Sequence, residues 1–275
     1  MIYGDYHTHT CFSTDSTAKP EDMIERAIAL GLTQYCITDH MDYLYPHNKN
    51  GEFTFNVKDY WTCLTELKER YASKIELLIG VELGLRNEAD CKHQVKCFFE
   101  QLVKQYSFDF VLGSTHVLDN YDPYLKGFWE HRSKEEGLFN YFHSIEQNAK
   151  YYSMFQVYGH LDYIIRYVPG DIKDYSVSEF IDSIDAALLA LIDAGKGIEC
   201  NTSGYKYGLN SPHPKLEILK RYRELGGEII TIGSDAHKTE FIAHEFEKAS
   251  QLLQSLGFRY YTTYRNQIPK FHKLK

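Results

Sequence analysis

The sequence lacks several features that would assign a chain to a secreted or membrane class. Its six cysteines form no CxxC pair, and in a chain of this length they indicate free thiols in a reducing compartment instead of a disulfide framework. No apolar run approaches the roughly 18 residues that a membrane-spanning helix needs. No basic segment followed by an apolar one stands after Met1, so we recognise no secretory signal. We therefore expect a cytoplasmic protein without a membrane partner.

The sequence also lacks an excess of positive charge. Its formal net charge is −8, whereas an obligate nucleic-acid partner would require a basic face, so we expect no nucleic-acid partner. A small anionic substrate is compatible with this charge, because bound metal cations would reverse its sign locally. The composition leaves the oligomeric state open.

The chain has 275 residues, of which 43% are hydrophobic, enough to build a sizeable core as one large α/β domain or two small ones. No internal repeat, low-complexity tract or linker rich in Pro and Ser divides it. Short apolar runs instead alternate with longer amphipathic ones. We predict strands at 2–7, 34–38, 76–81, 109–113, 156–159, 197–200 and 228–232, and helices near 20–30, 56–72, 92–104, 134–150, 176–194, 212–224 and 240–255. Seven strands that alternate with seven helices imply a parallel sheet with right-handed crossovers. Such a sheet is either closed as a barrel or open.

Local signals support several of the helix predictions. Pro20 stands at a first helical turn, where its fixed φ is favourable and its missing N–H is not needed. Ser176 and Glu179 have the spacing of a capping box, which predicts a helix start there. Ser211 before Pro212 predicts another helix start.

Side chains that bind metals follow six of the seven predicted strands. His7 and His9 stand two residues apart at the end of the first strand, so both imidazoles face the same side. The carboxyl ends of parallel strands share one face, where active sites assemble. Nine candidate ligands would gather there: His7, His9, Asp15, His40, Glu82, His116, His160, Asp235 and His237. This number exceeds the about four ligands of one Zn²⁺ and indicates two or three cations, with Glu82 central enough to bridge two of them.

A single histidine after a strand is more often a hydrogen-bonded surface or core residue than a ligand. The prediction therefore depends on the shared position of the nine residues. For most of the histidines without that position we predict solvated or structural roles: His47, His93, His131, His143, His213, His244 and His272. Asp39 has two open interpretations, because it either orients an imidazole or caps the next segment.

The motifs "HTH" at His7, "TDH" at His40, the lone Glu82 after the third strand and "SDAH" at Asp235 together resemble the PHP (polymerase and histidinol phosphatase) superfamily. The resemblance implies a distorted (β/α)7 barrel, with residues 1–275 forming a single PHP domain and three divalent metal ions at the carboxyl ends of the strands. The implied metals are zinc, with manganese or iron as alternatives. The implied ligand sets are His7, His9, Glu82 and Asp235 for one ion, Glu82, His116 and His160 for a second, and Asp15, His40 and His237 for a third.

Within that superfamily the segments "DYHTHTCFSTDS", "ITDHMDY", "GVELGLR", "LGSTHVLD", "GHLDYIIRY" and "NTSGY" are similar to the monofunctional histidinol-phosphate phosphatases. The similarity implies hydrolysis of L-histidinol phosphate to L-histidinol and phosphate, a step of histidine biosynthesis, by a metal-activated hydroxide. No Ser or Cys stands in an evident nucleophile motif, which disfavours a covalent intermediate. The alternatives are a broad-specificity or nucleotide-directed PHP phosphoesterase and a non-catalytic metal-binding barrel.

A phosphate dianion also requires cationic donors beside the metals, and the planar guanidinium group matches its geometry. Arg166 is the first candidate, Arg86 the second, and Lys206 is weaker. Each arginine has the alternative role of a surface ion-pair partner.

The other end of histidinol phosphate carries an amine and an imidazole. Asp42 is placed to accept a hydrogen bond from one of them or to protonate the leaving alkoxide, which makes it a catalytic candidate beside Glu82 and Arg166. Tyr45, Asn201 and Tyr205 are candidates for lining the substrate pocket. Loop packing is the alternative role of these four residues.

Overall fold

The computed structural model describes residues 2–46, 53–170 and 175–274. Its main sheet is parallel throughout and follows the order β1-β2-β4-β5-β6-β7-β8, with the short β3 beside the end of β4. The strands are β1 (Gly4–Asp5), β2 (Gln34–Ile37), β3 (His40–Met41), β4 (Glu76–Gly84), β5 (Phe110–Ser114), β6 (Val157–Tyr158), β7 (Gly197–Asn201) and β8 (Ile230–Gly233).

The first and last parallel strands meet through the chain segments that continue them. The N–H of Tyr6 donates to the carbonyl of Ile232 (3.3 Å), the N–H of Asp235 to that of His7 (2.8 Å), and the N–H of His9 to that of Ala236 (2.9 Å). These bonds close the sheet into a nearly complete ring. The predicted distorted (β/α)7 barrel is therefore confirmed, and the open sheet is excluded.

Helices surround the barrel and bury their apolar faces against the strands. They are α1 (Pro20–Ala29), α2 (Val57–Tyr71), α3 (Lys92–Gln105), α4 (Lys126–Trp129), α5 (Lys134–Tyr151), α6 (Ile181–Asp193), α7 (Ser203–Lys206), α8 (Leu216–Glu224) and α9 (Phe246–Ser255), with 3-10 helices at Tyr163–Tyr167, Val177–Phe180 and Thr239–Phe241. In α6 the apolar stripe of Ile184, Leu188 and Leu191 is buried. Within the described ranges, none of these helices combines the length and apolar character needed to cross a bilayer.

One of the predicted helix starts is wrong, and another lacks its predicted cap. A 3-10 helix begins directly after Ser176 and leads into α6, but the Ser176 hydroxyl pairs with that of Ser178 (2.7 Å) instead of forming the predicted capping box. The segment after Pro212 stays extended because the N–H and C=O of His213 both pair with Asn201, so α8 starts only at Leu216. The start at Pro20 is confirmed.

An antiparallel hairpin of β9 (Tyr260–Arg265) and β10 (Ile268–Lys273) follows the barrel and has no counterpart in the sequence prediction. The Tyr264 ring stacks on Phe110 with 5.1 Å between centroids, and the Tyr264 carbonyl accepts from the Tyr6 hydroxyl (2.9 Å). The N–H of Asn266 donates to Asp109 (3.2 Å) at the beginning of β5. The hairpin therefore contacts the amino-terminal end of the strands.

Strand alternation decides which side chains of β4 enter the barrel interior. One of them, Glu82, lies at the end opposite the hairpin. Ile79, Val81 and Leu83 belong to the core beneath the helices, so Leu78, Gly80 and Glu82 face inward. A Cβ on Gly80 would lie 2.7 Å from the Thr38 side chain, and therefore only glycine fits that layer. Glu82 is fully buried at the carboxyl end, where the chain places its candidate ligands.

Candidate metal centre

The Oε2 atom of Glu82 is surrounded by three imidazole nitrogens. It lies 3.2 Å from Nε2 of His7, 3.5 Å from Nε2 of His9 and 2.9 Å from Nδ1 of His40. His7 and His9 are both completely buried. The two histidines of the first motif therefore converge on one carboxylate oxygen, as their spacing predicts.

The Oε1 atom of the same carboxylate faces a different pair of imidazoles. It lies 3.0 Å from Nε2 of His160 and 3.3 Å from Nε2 of His116, and it accepts a hydrogen bond from the Ser114 hydroxyl (2.6 Å). Each oxygen of Glu82 thus belongs to its own set of nitrogens. This division is the arrangement that a carboxylate bridging two cations requires.

The remaining candidate ligands complete the cluster on its open side. Oδ1 of Asp235 lies 3.5 Å from both Nε2 of His9 and Nδ1 of His237. Oδ2 of Asp15, which is partly exposed, lies 3.1 Å from Nε2 of His237 and 3.7 Å from Nε2 of His40. The structure therefore brings all nine candidate ligands into one continuous cluster.

Carboxylates behind the cluster set the tautomers of two ligand imidazoles. Nδ1 of His7 lies 2.8 Å from Oε1 of Glu199, and Nδ1 of His116 lies 2.7 Å from Oδ1 of Asp42. An ionised carboxylate only accepts, so each Nδ1 carries the proton and each Nε2 presents a lone pair to the cluster. Glu199 is in turn held by the N–H of His160 (2.9 Å) and the amide of Asn201 (3.0 Å).

Ser13 transmits the effect of Asp39 to two ligands, which decides between the open interpretations of that aspartate. The Ser13 hydroxyl donates to Asp39 (2.6 Å) and can therefore only accept from Nδ1 of His9 (3.1 Å). The same hydroxyl accepts from the N–H of His40 (3.0 Å). Asp39 thus orients His9 through Ser13, a residue that the sequence reasoning missed.

Several buried atoms at the centre of the cluster have no hydrogen-bond partner among the described residues: Nε2 of His7 and of His9, Nδ1 of His40 and Oε2 of Glu82. Leaving such atoms unpaired in a protein interior is costly, so their convergence requires an explanation. Imidazole nitrogens with carboxylate oxygens form the ligand set of Zn²⁺ and related divalent cations. The residues therefore fit a metal centre.

The electrostatics of the cluster favour bound cations. Burial opposes ionisation, yet the imidazoles of His7, His116 and His40 hold the pKa of Glu82 well below its ordinary value. Burial likewise disfavours a charge on His7, but the carboxylates of Glu199 and Glu82 raise its pKa well above the ordinary value. The field that favours a proton on His7 also favours a metal cation in its place. Burial and the neighbouring His237 and His40 lower the pKa of His9 well below its ordinary value, so His9 is a neutral imidazole.

A cavity of about 430 Å³ opens over the cluster. Its walls combine carboxylates, cations and aromatic rings: Asp42, Asp122, Arg166, Lys206, Tyr45, Phe53, Tyr124, Tyr163, Tyr167 and Tyr207. Asp122 and five of the six aromatic residues are absent from the sequence prediction. Tyr163, Arg166 and Tyr167 share one 3-10 helix, so the motif "DYIIRY" contained a signal for three of the lining residues.

Arg86 does not lie at this cavity. Its guanidinium donates to Glu88 (2.8 Å), to the carbonyl of Leu44 (2.6 Å) and to Asn120. These bonds occupy all three nitrogens, so the predicted phosphate contact has no support from its position.

Asn201 and Tyr205 are also absent from the cavity wall. Asn201 is fully buried, and its side chain bonds to Glu199 and Ser203. Tyr205 packs beneath the Lys248 ammonium, which lies 3.8 Å from its ring centroid. These positions correct the predicted substrate contacts of both residues. Asn201 instead supports the site through its bond to Glu199. His47 lies outside the described residues.

The fold and the cluster define a class of protein, namely a parallel α/β barrel with clustered metal-ligating side chains at the carboxyl end of its strands. The model of the PHP domain family matches residues 5–203. The chain belongs to this family.

Similar proteins carry a consistent name. The histidinol-phosphatase of Lactococcus lactis is 29% identical over 266 residues, which cover 94% of this chain and 93% of that protein. A protein of Clostridium acetobutylicum, named "Probable histidinol-phosphatase", is 33% identical and covers 94% and 95% of the two chains.

A solved structure agrees with the fold over almost its whole length. The crystal structure of histidinol phosphate phosphatase from Lactococcus lactis, complexed with zinc, L-histidinol and phosphate, superimposes with a TM-score of 0.88 at 28% identity. The match covers 98% of this chain and 99% of that one.

Proposed function

We propose that the chain is a metal-dependent phosphoric monoester hydrolase that converts L-histidinol phosphate to L-histidinol and phosphate. The observation that carries the proposal is the cavity, whose walls carry Arg166 together with Asp42, Asp122 and aromatic rings and whose lining includes six of the nine clustered residues, namely Asp15, His40, His116, His160, Asp235 and His237. Such walls suit a substrate with a phosphate at one end and an amine and imidazole at the other. The Lactococcus structure, with zinc, L-histidinol and phosphate, supports the same assignment.

The nine ligands divide into three sets, for which we propose three divalent ions. The first set is His7, His9, Glu82 and Asp235, the second is Glu82, His116 and His160, and the third is Asp15, His40 and His237. Zinc is the proposed metal, with manganese or iron as alternatives. Divalent ions held there supply Lewis-acid activation of water and neutralise charge on the phosphoryl group.

Arg166 supplies the proposed cationic contact to the substrate phosphate. It is buried in the cavity wall, and Nη2 of its guanidinium lies 3.2 Å from Oδ2 of Asp235. No residue in the described ranges accepts a hydrogen bond from its Nη1, so this nitrogen is available for a phosphate oxygen. Lys206 adds a second cation to the same wall.

The acidic side of the cavity is the proposed site of the amine and imidazole. The Tyr45 hydroxyl donates to Asp122, whose other oxygen accepts from the N–H of Tyr124 (2.8 Å). Asp42 uses one oxygen to orient His116, and its buried Oδ2 has no hydrogen-bond partner in the part of the chain that the structure describes. Oδ2 of Asp42 is therefore available to accept a hydrogen bond from a substrate N–H group, or, in the protonated form of this carboxyl group, to give its proton to the leaving alkoxide.

The biological setting follows from the proposed reaction. A phosphatase for L-histidinol phosphate belongs to histidine biosynthesis and would work in the cytoplasm, consistent with six free cysteines. The substrate is a small molecule and not a nucleic acid, consistent with the net charge of −8. We further propose that residues 1–275 form a single PHP domain.

A screen of small phosphate monoesters ranked by kcat/KM tests this function. We expect the metal-loaded protein to prefer histidinol phosphate over nucleoside monophosphates and p-nitrophenyl phosphate, to lose activity with a chelator and to recover it with Zn²⁺, Mn²⁺ or Fe²⁺. Similar kcat/KM values across the series would indicate a broad-specificity enzyme. Stoichiometric metal without hydrolysis of any monoester would indicate the non-catalytic barrel.

A further inference from the structure

His213 contacts Nε of the Arg166 guanidinium, whereas Nη2 of the same group contacts Asp235. His213 is completely buried, and its N–H and C=O form two 2.8 Å hydrogen bonds with the main chain of Asn201 at the end of β7. The backbone thus fixes the position of this residue independently of its side chain. The prediction for His213 was a structural or solvated role.

The imidazole of His213 connects a buried carboxylate to the guanidinium. Nε of Arg166 donates to Nε2 of His213 (2.9 Å), and Nδ1 of His213 lies 2.5 Å from Oδ1 of Asp162. A guanidinium has no acceptor atom, so Nε2 must accept and the ring proton must reside on Nδ1, facing Asp162. This order of donors allows one tautomer only.

Asp162 is itself held in place. Its second oxygen accepts hydrogen bonds from the Tyr175 hydroxyl (2.9 Å) and from the N–H of Lys215 (3.0 Å). Asp162 is buried and lies outside the cavity wall. The three side chains Asp162, His213 and Arg166 therefore form a chain of hydrogen bonds that ends at the cavity.

The other contacts of Arg166 leave one part of its guanidinium for a ligand. Its Cζ atom lies 5.3 Å from the ring centroid of Tyr163 and 4.2 Å from that of Tyr207. Nη2 donates to Ser203 and Asp235, and Nε is held by His213. Within the described residues, Nη1 is the one nitrogen of the Arg166 guanidinium that lacks an acceptor. Because the guanidinium is planar and its other two nitrogens are held, Nη1 has a fixed direction.

We propose that His213, with its tautomer fixed by Asp162, is a positioning residue that aims the Arg166 guanidinium at the substrate phosphate. The proposal rests on the proposed function in one respect, because it takes Arg166 as a phosphate ligand. His213 touches neither substrate nor metal and acts through Arg166 alone. A small displacement of a binding group is enough to lower reaction rates strongly, which gives such support a measurable effect.

The test compares variants at position 213 in two backgrounds, using the metal-loaded full chain. His213→Leu removes the acceptor, and we expect it to weaken competitive inhibition by inorganic phosphate and to lower kcat/KM for histidinol phosphate about 10–100-fold, the usual range for a residue that orients a site group. In an Arg166→Met background the same change should produce no further loss, because the group it aims is gone. An equal loss in both backgrounds, or none in the native one, overturns the proposal.

Two amide variants keep the test decisive if His213→Leu does not fold. The Oε1 of Gln overlays Nε2 of the imidazole and can accept from Arg166, whereas Asn overlays Nδ1 and reaches only Asp162. We expect His213→Gln to retain phosphate inhibition and His213→Asn to lose it, and equal behaviour of the two contradicts the proposal. His272→Leu is the matched control, because His272 lies on the hairpin at the other end of the barrel and its side chain hydrogen-bonds to Thr263 (2.8 Å), away from the cavity.

The two proposals fail separately. If the wild-type protein hydrolyses no histidinol phosphate, the proposed function fails. The ratio of phosphate dissociation constants between His213→Gln and His213→Asn, measured by calorimetry with inorganic phosphate, still decides the role of His213.

Discussion

Glu82 divides its two carboxylate oxygens between two groups of imidazoles at the centre of the cluster. Oε2 faces His7, His9 and His40, while Oε1 faces His116 and His160. A bridging carboxylate needs both oxygens as acceptors. A substitution that keeps its volume but changes one oxygen therefore tests the bridge directly.

Glu82→Gln should lower kcat by at least about 100-fold, since loss of an outer partner of a metal ligand alone costs about 10–100-fold. The amide keeps one oxygen and turns an NH₂ group toward the other set of imidazoles. We expect the protein to retain fewer metal ions, with losses at two positions together. Metal analysis by mass spectrometry and steady-state kinetics measure both effects.

The matched control for this substitution is Glu76→Gln at the other end of β4. Glu76 bonds to Gln34 (2.7 Å) and pairs with Arg265 (3.2 Å), far from the cluster. The Glu76→Gln substitution should leave metal content and kcat unchanged. Full activity of Glu82→Gln would show that Glu82 bridges nothing.

Glu199 supports the cluster from behind, and Glu199→Gln should weaken metal binding about 10–100-fold. Its Oε1 faces the Nδ1 proton of His7, and its Oε2 accepts from His160 and Asn201. An amide has only one oxygen, so one of these donors must face an NH₂ group. Competition with a chromophoric chelator measures the affinity, and Glu217→Gln on the exposed surface of α8 is the control. Equal affinities in the two variants would contradict the role of Glu199.

The clustering of the candidate metal ligands could be predicted from the sequence because strand geometry fixes where these residues lie. A residue at the end of a parallel strand has only two directions, and His7, Glu82 and Asp235 all take the inward one. Arg86 could not be placed this way, because it follows β4 and its side-chain direction depends on contacts such as that with Asn120. Alternation puts Asn201 on the same face of β7 as Glu199, but the bonds to Glu199 and Ser203 that occupy its side chain exist only in the folded chain.

Most strands and helices were predicted, including the two-residue strands β1 and β6, while β3, the one-turn helices α4 and α7 and the β9–β10 hairpin were missed. The strand β3 has only two residues and exists because His40 and Met41 pair with the end of β4. The β9–β10 hairpin turns at Asn266 and Gln267, both with positive φ. Such a turn usually contains glycine, so this sequence gave no clear signal for it.

The hairpin is held to the barrel by Asp109, and Asp109→Ala should lower the free energy of unfolding by about 1–3 kcal/mol, the cost of unsatisfied buried donors. The carboxylate accepts from the N–H groups of Ile79 (3.0 Å) and Asn266 (3.2 Å) and from Lys68 (2.8 Å). Urea denaturation measures the loss. Because these contacts lie at the opposite end from the cavity, kcat/KM should not change.

Lys68→Met distinguishes the stability that comes from the main-chain hydrogen bonds of Asp109 from the stability that comes from its ion pair with Lys68. The Lys68 side chain is 41% exposed, so its removal should cost less than about 1 kcal/mol. A loss as large as that of Asp109→Ala would assign the stability to the ion pair. A fall in kcat/KM of folded Asp109→Ala would connect the hairpin to the site.

Closure of the barrel ring creates the site. His7 and His9 follow the first strand and Asp235 and His237 follow the last parallel one, and the bonds between Asp235 and His7 and between His9 and Ala236 bring them together. The converging carboxylates and imidazoles exist only in the closed barrel. Cations bound there therefore select the folded state over the unfolded chain.

Removal of metal should consequently lower thermal stability together with activity. A ligand that binds only the folded chain stabilises it by about 4 kcal/mol at a thousand times its dissociation constant, so the melting temperature should rise with Zn²⁺ concentration after chelation. Calorimetric melting curves of chelated and reloaded protein measure the shift. Glu82→Gln should show a smaller rise over the same titration, whereas Glu76→Gln should match the wild type. A melting temperature independent of Zn²⁺ in the native chain would mean that the cluster does not bind metal in the folded barrel.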